Sequence, residues 1–383
     1  MAKWQFMRKR QSLWLTGIIV LGLLGRMVIT FGTGLERITN DTKYYFRQAD
    51  AIIAGKYINF FPNGYPFIIA LVKSTIAGLY VNDALLLINI GMSTCAIYFT
   101  YHIAKLTFKD EGIALLAAFI VAIFPNQLNY VRWLLSEVPS LFFLIGSYYF
   151  LFRGKDWLSG LFLGFAIIVR SNLLLVMVFL VLLYLIINKR VPIGLIIGAC
   201  IPILATAFYC RAKTGEFSIA GNNIVNIVTA VTAYGNNVDF HFKMEEKYPD
   251  ITTSGKAVAM YMDHMRQDPV YFIKQRLANA WTLWSFYAPA AAQRGVVSRI
   301  ILGLGNLFLV GFGLFGWWSN RRNFFTNLLI LPFLGVTIIH VLLFAQPRYT
   351  FPVEPFMIIL ASWTIFWIFR RVKSIRKANG GPL

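Results

Sequence analysis

The stretch that decides the fold is Arg170-Ser171-Asn172-Leu173-Leu174-Leu175-Val176-Met177-Val178-Phe179-Leu180-Val181-Leu182-Leu183-Tyr184-Leu185-Ile186-Ile187-Asn188-Lys189-Arg190. No charge interrupts it between Leu173 and Ile187. A helix rises ~1.5 Å per residue, so ~20 residues cross a hydrocarbon core. With its polar flanks the run is long enough to cross. Its ends differ in kind. Lys189 and Arg190 form a basic pair of the sort that marks a cytoplasmic helix end, whereas Arg170 stands alone at the other end.

Outward from this run the pattern repeats. Ten spans are expected, near 12–31, 84–104, 112–131, 138–152, 157–169, 173–188, 192–210, 298–318, 324–344 and 354–370. Hydrophobic residues make up 58% of the 383 and charged residues 14%, which excludes an ordinary soluble domain. The expected fold class is all-α: a polytopic membrane protein, with 1–383 forming a single transmembrane domain. The first apolar run ends at Thr30-Phe31-Gly32 without a small-residue cleavage pattern, so it reads as a retained span.

Charge sets the orientation. Lys3, Arg8, Lys9 and Arg10 precede the first span. Basic residues then follow every even-numbered span: Lys105 and Lys109, Arg153 and Lys155, Lys189 and Arg190, Arg321 and Arg322, and the cluster from Arg370 to Lys377. This positive-inside pattern expects both termini in the cytoplasm. Most acids fall on the other side: Glu36, Asp41, Asp50, Asp83, Glu137 and those from 216 to 268. Outer loops 32–83 and 211–297 are expected to roof a site there. Within the first, Pro66 to Tyr80 is short for a span and interrupted by Lys73, so it reads as a helix lying on the outer leaflet.

The net charge of +20 invites a nucleic-acid partner. The basic residues sit in short clusters between apolar runs, with no stripe of interleaved aromatics, and that partner is excluded. Cys95, Cys200 and Cys210 have no close Cys or His at metal spacing and read as packing residues.

Few side chains in this apolar chain can carry chemistry. Asp41, in Asn40-Asp41-Thr42-Lys43-Tyr44-Tyr45, is either a general base at the membrane boundary or, with Asn40, a helix cap. Glu137 opens a span after a Pro125-Asn126-Gln127 break; it is either a site acid or an acid favoured by a helix dipole. Arg170 and Arg348 are isolated cations at outer span ends, against the positive-inside bias. A planar guanidinium fork suits a phosphate. Snorkelling, or for Arg348 a pairing with Glu354, is the other reading. His241 and His264 fit no recognised metal-ligand spacing, and Tyr65 between Gly64 and Pro66 reads as a turn anchor.

At these residues the chain resembles the C-type superfamily of integral membrane glycosyltransferases, in the branch of the protein O-mannosyltransferases and the lipid A aminoarabinose transferase. Asp41 with Tyr44, Ala49, Gly55 and Tyr57 resembles the family's acidic first outer loop. Pro62-Asn63-Gly64-Tyr65-Pro66 is similar to its proline-glycine-tyrosine-proline turn, with Asn63 in place of the second proline. Ser136-Glu137 resembles its second outer acid, and Gly160, Gly164 and Arg170 its glycine-spaced span ending in arginine. Lys213 to Phe217 and Gly221-Asn222-Asn223 resemble the start of its long outer loop, and Arg348-Tyr349 with Pro352 to Pro355 its late arginine-tyrosine-proline motif.

The resemblance implies an enzyme of the cytoplasmic membrane, working on its outer face. The implied donor is a polyprenyl-phosphate sugar. The sugar passes with inversion to a hydroxyl on a glycan, lipid or protein. The implied catalytic residues are Asp41 and Glu137; Arg348, Arg170 and Lys43 would hold the donor phosphate, and Tyr44, Tyr65, Tyr349 and Asn172 would contact substrate. One acid stands where some relatives have an adjacent pair, which leaves the metal open between a divalent ion and metal-free chemistry. The competing reading is a transporter or flippase of lipid-linked sugars.

Overall fold

The computed structural model describes residues 2–32, 38–58, 60–76, 78–232, 247–285 and 296–378. Those residues hold helices and turns and no strand; the architecture is an all-α polytopic membrane fold. In chain order the helices are α1 (Ala2–Met27), α2 (Asn40–Ile53), α3 (Gly64–Thr75), α4 (Val81–Phe108), α5 (Glu111–Ile123), α6 (Pro125–Asn129), α7 (Glu137–Phe152), α8 (Asp156–Val169), α9 (Leu174–Leu183), α10 (Ile193–Thr214), α11 (Asn223–Thr229), α12 (Ser254–Gln267), α13 (Pro269–Ser285), α14 (Val296–Ser319), α15 (Phe324–Leu342) and α16 (Glu354–Ala378).

Six stretches among the described residues are long and apolar enough to cross a membrane: Ser12–Gly32, Val81–Phe108, Ser171–Asn188, Ile193–Thr214, Phe324–Leu342 and Pro347–Ile375. The bent pair Glu111–Ile123 and Pro125–Arg132 makes a seventh if counted as one, and α7 and α8 are shorter apolar helices.

The expected continuous span 112–131 is therefore corrected: it bends by 49°. Pro125 lacks an N–H, so the Val121 carbonyl loses its donor four residues on. Phe124, ahead of the proline, turns extended at φ −61 and ψ 126. The missing donor comes from another helix. Arg26 of α1 is fully buried and donates from Nη2 to the Val121 carbonyl at 3.3 Å and from Nη1 to the Ala122 carbonyl at 3.2 Å. Its Nε donates to Ser93 Oγ at 2.7 Å, and Nη1 also reaches the Gly22 carbonyl at 3.0 Å. One guanidinium thus joins α1, α4 and the broken end of α5.

Close helix approach positions the next element. A Cβ on Gly160 of α8 would lie 2.0 Å from the Leu195 carbonyl oxygen of α10, so only glycine lets these backbones meet. Arg170 follows directly from the last residue of α8.

Helices α2 and α3 form a second apolar core with Leu134, Leu135 and Val169, centred on Tyr45, Phe61, Tyr65 and Ile69. Thr39 caps α2: its Oγ1 accepts from Thr42 N at 3.2 Å, and Thr42 Oγ1 accepts from Thr39 N at 3.1 Å. This reciprocal pairing satisfies the helix start and corrects the reading of Asn40 or Asp41 as the cap. The Asp41 carboxylate is free for a different partner. Gly64 opens α3, where a Cβ would press at 2.7 Å on the Ile168 carbonyl, so α3 lies against the end of α8.

Residues of the second long loop cover the end of α15. Asn279 Nδ2 donates to the Val341 and Leu343 carbonyls at 3.2 Å each. Arg276 donates to the Leu342 carbonyl through Nη1 and to the Ala230 carbonyl through Nη2 at 2.5 Å. The last carbonyls of a helix have no intrahelical donor, and these two α13 side chains supply it.

Candidate active site

Where the ends of α2, α7, α8 and α15 converge, they enclose a cavity of about 330 Å³. Asp41, Tyr45, Ser136, Glu137, Arg170, Asn172, His340, Arg348 and Tyr349 are among its lining residues.

Four charged side chains meet there. Asp41 lies in the first turn of α2, and its Oδ2 is 2.6 Å from Arg348 Nη1. Arg348 comes from the 3₁₀ turn Pro347–Val353 between α15 and α16. Glu137 is the first residue of α7, where the helix dipole also favours its charge. Its Oε1 is 3.0 Å from Arg170 Nη1 and 3.8 Å from Arg348 Nε. The two acids and two guanidiniums balance in charge. They are substantially buried, with side-chain exposures from 3% at Glu137 to 22% at Arg348. Arg170 Nη1 and Arg348 Nε are buried yet make no directed hydrogen bond, so their contacts with Glu137 are ionic only. Both groups thus share one carboxylate at the edge of the cavity, a pattern in which an incoming anion can compete for them.

Tyr349 organises the cations. Arg170 and Arg348 place their guanidinium carbons 5.1 Å and 5.5 Å from its ring centre, and His340 stacks on the ring at 4.2 Å. Behind Asp41, the Tyr45 hydroxyl donates to Ser136 Oγ at 3.1 Å. Burial, then the charges of Glu137 and Asp41, push the Tyr45 phenol well above its usual range, so it stays a proton donor.

The alternative pairing of Arg348 with Glu354 is corrected. Glu354 is fully buried and accepts from Asn126 Nδ2 at 2.6 Å, Gln127 Nε2 at 2.8 Å and Thr350 Oγ1 at 3.4 Å. Asn126 and Gln127 belong to the segment after the Pro125 break and hold the Arg348 turn against α6, while Thr350 lies in that turn.

Of the residues singled out in the sequence, Asp41, Glu137, Arg170, Arg348, Tyr349 and Asn172 all line the cavity. Three others lie away from it. Lys43 is exposed beside Thr39, Asn40 and Trp133. Tyr44 packs on Phe60 and Phe61. Tyr65 is buried edge-on to Tyr45 at 5.1 Å, its hydroxyl without a hydrogen-bond partner. Tyr45 and His340 were missed. Tyr45 stands one helical turn from Asp41, and that spacing was the available signal. His340 is the one titratable side chain within the run 324–344.

Asn63, the departure from the proline turn, is fully buried: it accepts from Gln48 Nε2 at 2.7 Å and donates to the Tyr57 hydroxyl at 2.8 Å. Among the described residues, no three His, Cys, Asp or Glu side chains gather as metal ligands. The two cavity carboxylates, Asp41 and Glu137, do not fit a divalent ion as they stand, because each already faces a guanidinium that neutralises it. His264 packs against Tyr271 and Phe272, and His241 lies outside the described residues.

Residues 62–210 match the family of dolichyl-phosphate-mannose-protein mannosyltransferases. Curated protein sequences give no match. Solved structures give the fold. The apo oligosaccharyltransferase of Archaeoglobus fulgidus superposes with a TM-score of 0.59 at 14% identity, over 96% of this chain and 52% of that one. The form tethered to an acceptor peptide containing the NVT sequon gives 0.58 at 14% identity, over 95% and 50%. The oligosaccharyltransferase AglB of the same organism, in complex with an inhibitory peptide and a dolichol-phosphate, gives 0.57 at 13% identity, over 97% and 52%. The present chain spans about half the length of these structures. Family match and fold agree with the resemblance to C-type membrane glycosyltransferases drawn from the motifs.

Proposed function

We propose that this protein transfers a sugar from a polyprenyl-phosphate donor to a hydroxyl of a glycan, lipid or protein, with inversion, on the outer face of the cytoplasmic membrane. The observation that carries this reading is the meeting of Asp41 with Arg348 in the lined cavity, with Arg170 beside them. A base and a phosphate grip are the two groups the reaction needs. The matched family acts from dolichyl-phosphate mannose by its description, and AglB was solved with a dolichol-phosphate. Both support a lipid-phosphate donor here.

The donor phosphate enters as an anion. The guanidinium N–H groups of Arg348 and Arg170 take its oxygens, and Arg348 turns from Asp41 to do so. Asp41 is then a free carboxylate beside the acceptor hydroxyl. It accepts the hydroxyl proton as that oxygen attacks the anomeric carbon on the face opposite the phosphate. The bond between the anomeric carbon and the phosphate oxygen breaks, and its electron pair leaves with the polyprenyl phosphate. Negative charge grows on that phosphate in the transition state, where fixed guanidiniums lower the barrier most. A well-placed base adds ~10²–10⁴-fold. Glu137 orients Arg170, and Tyr45 with Ser136 closes the wall behind Asp41.

The test is mass spectrometry of envelope glycans, lipids and proteins from a strain lacking the gene. Loss of a defined sugar from one acceptor supports the reading. An unchanged sugar profile, together with no transfer by the purified protein in lipid, defeats it.

A further inference from the structure

Glu354 is the first residue of α16, fully buried, and takes no part in the chemistry proposed above. Among the described residues no Lys or Arg pairs with it. A buried carboxylate is costly unless hydrogen bonds satisfy it, so one kept without a counter-charge needs a reason. Its partners supply one. Asn126 Nδ2 lies 2.6 Å from Oε1, and Gln127 Nε2 lies 2.8 Å from Oε2. Each amide gives a proton to a different oxygen, an arrangement that suits the ionised form. Gln127 Nε2 also reaches the Phe351 carbonyl at 3.2 Å, and Thr350 Oγ1, besides Glu354, reaches the Pro347 carbonyl at 2.8 Å. The turn Pro347–Val353, which carries Arg348, is thereby closed on itself and fastened to α6.

From this anchor the chain runs on to the acids. Tyr130 packs on Phe351 with ring centres 5.1 Å apart. The Trp133 carbonyl accepts from Asn89 Nδ2 of α4 at 3.1 Å. The Leu134 carbonyl accepts at 3.1 Å from Thr42 Oγ1, on the residue after Asp41. Ser136 Oγ accepts from Tyr45, and Glu137 follows directly. One stretch of chain, 126–137, thus touches in order the turn of Arg348, a helix of the core, the helix of Asp41, and Glu137 itself. It is a strap that sets where Arg348 stands relative to both acids. Glu354 ties its near end to the Arg348 turn.

We infer that Glu354 is a positioning residue: its carboxylate holds the turn of Arg348 in register with Asp41 and Glu137. The effect on turnover rests on the transferase reading above; the coupling to Arg348 does not. A displacement of about 1 Å in a group that grips a reactant can lower a rate ~10²-fold. Glutamine at position 354 keeps the size but presents one oxygen and one NH₂ group. One of the two amides must then turn, or meet it donor to donor. Gln127 Oε1 is buried without a hydrogen-bond partner and can turn to accept, but Nε2 then leaves the Phe351 carbonyl. Either way the loss falls on the Arg348 turn. A satisfied buried network of this kind fixes one geometry, and a half-satisfied one does not.

The experiment is a double-mutant cycle between Glu354→Gln and Arg348→Ala on purified protein in lipid discs. It is read by titration with sugar-free polyprenyl phosphate, by turnover and by melting midpoint. Glu354→Gln should weaken phosphate binding by about 3–30-fold. It should lower kcat by ~10-fold or more at temperatures well below its own midpoint. On the Arg348→Ala background the same substitution should change phosphate affinity by less than about 2-fold, because the group it positions is gone. Gln127→Met removes one donor and keeps the bulk; it should move the same quantities the same way by less, and it carries the test if Glu354→Gln does not fold. Losses that add in full across the cycle would overturn the inference, as would a lowered midpoint with affinity and kcat unchanged. The transferase reading fails separately, if wild type binds no polyprenyl phosphate and transfers nothing. The midpoints then still decide the coupling: Arg348→Ala should lower the midpoint less in the Glu354→Gln protein than in wild type, and equal shifts would overturn it.

Discussion

Arg348 Nη1 lies 2.6 Å from Asp41 Oδ2, so the proposed phosphate grip and the proposed base are each other's partner. Neither can act until a competing anion separates them. The pairing also keeps a largely buried cation and a buried carboxylate from standing alone, which is costly for either. Donor binding and activation of the base are thereby one event.

Asp41→Asn separates the roles. Asparagine keeps the size of the side chain, and Thr39 provides the cap in either case. Transfer should fall by ~10²-fold or more, while donor binding is retained or tightened, because Arg348 no longer has a carboxylate to leave. Turnover assays in lipid, beside donor titrations and a melting curve, check this. Near-wild-type turnover would remove Asp41 as base and make Glu137 the next candidate.

Arg348→Ala should weaken polyprenyl-phosphate binding, with or without sugar, by ~1.5–3 kcal/mol, the range for a hydrogen bond to a charged group. Arg348→Lys should restore only part, since a single ammonium cannot supply the planar fork that grips two phosphate oxygens. Calorimetric titration with sugar-free polyprenyl phosphate reads the effect directly. Unchanged affinity in both variants would assign Arg348 to packing.

Glu137→Ala leaves Arg170 without its carboxylate in a buried setting. Removal of one partner of such a pair costs ~3–5 kcal/mol, so the melting midpoint should fall clearly. The double variant Glu137→Ala/Arg170→Ala should recover part of the midpoint and none of the transfer. A single variant as stable as wild type would mean that Arg170 finds another anion.

Single cysteines at Lys56, Lys247 and Arg321, on a background lacking Cys95, Cys200 and Cys210, test the sidedness. The alternating basic clusters expect Lys56 and Lys247 to label from outside and Arg321 from the cytoplasm. Labelling at Lys56 from the cytoplasm alone would place the cavity on the wrong side for a donor in the outer leaflet.

The site was legible where a charge stood against its surroundings. Asp41, Glu137, Arg170 and Arg348 are conspicuous in an apolar chain, and all four meet. What failed was phase. Asp41 faces inward on α2, and Tyr45, Gln48 and Ala49, one and two turns on, are buried with it. Lys43 stands two residues from Asp41, about 200° around the helix, while Tyr44, taken from the resemblance, packs on Phe60 and Phe61. Tyr45 held the position that Tyr44 was given. Glu354 and the Asn126-Gln127 pair were noticed separately, but nothing local joins side chains that far apart in the chain. The apolar periods found most of the helices, and the proline already identified as a break also divides the span 112–131.

The guanidinium of Arg26 bears on how the chain is made. It lies within the first span, and its acceptors, Ser93 and the Val121 and Ala122 carbonyls, are synthesised long after it. Until they emerge, α1 carries an unsatisfied cation worth up to about 2.5–3.5 kcal/mol against insertion. Helix one is then a poor guest of the bilayer on its own and a good one beside α4 and α5. Biogenesis becomes a matter of waiting: the nascent amino terminus lingers at the insertion machinery until the proline-broken helix arrives to receive it.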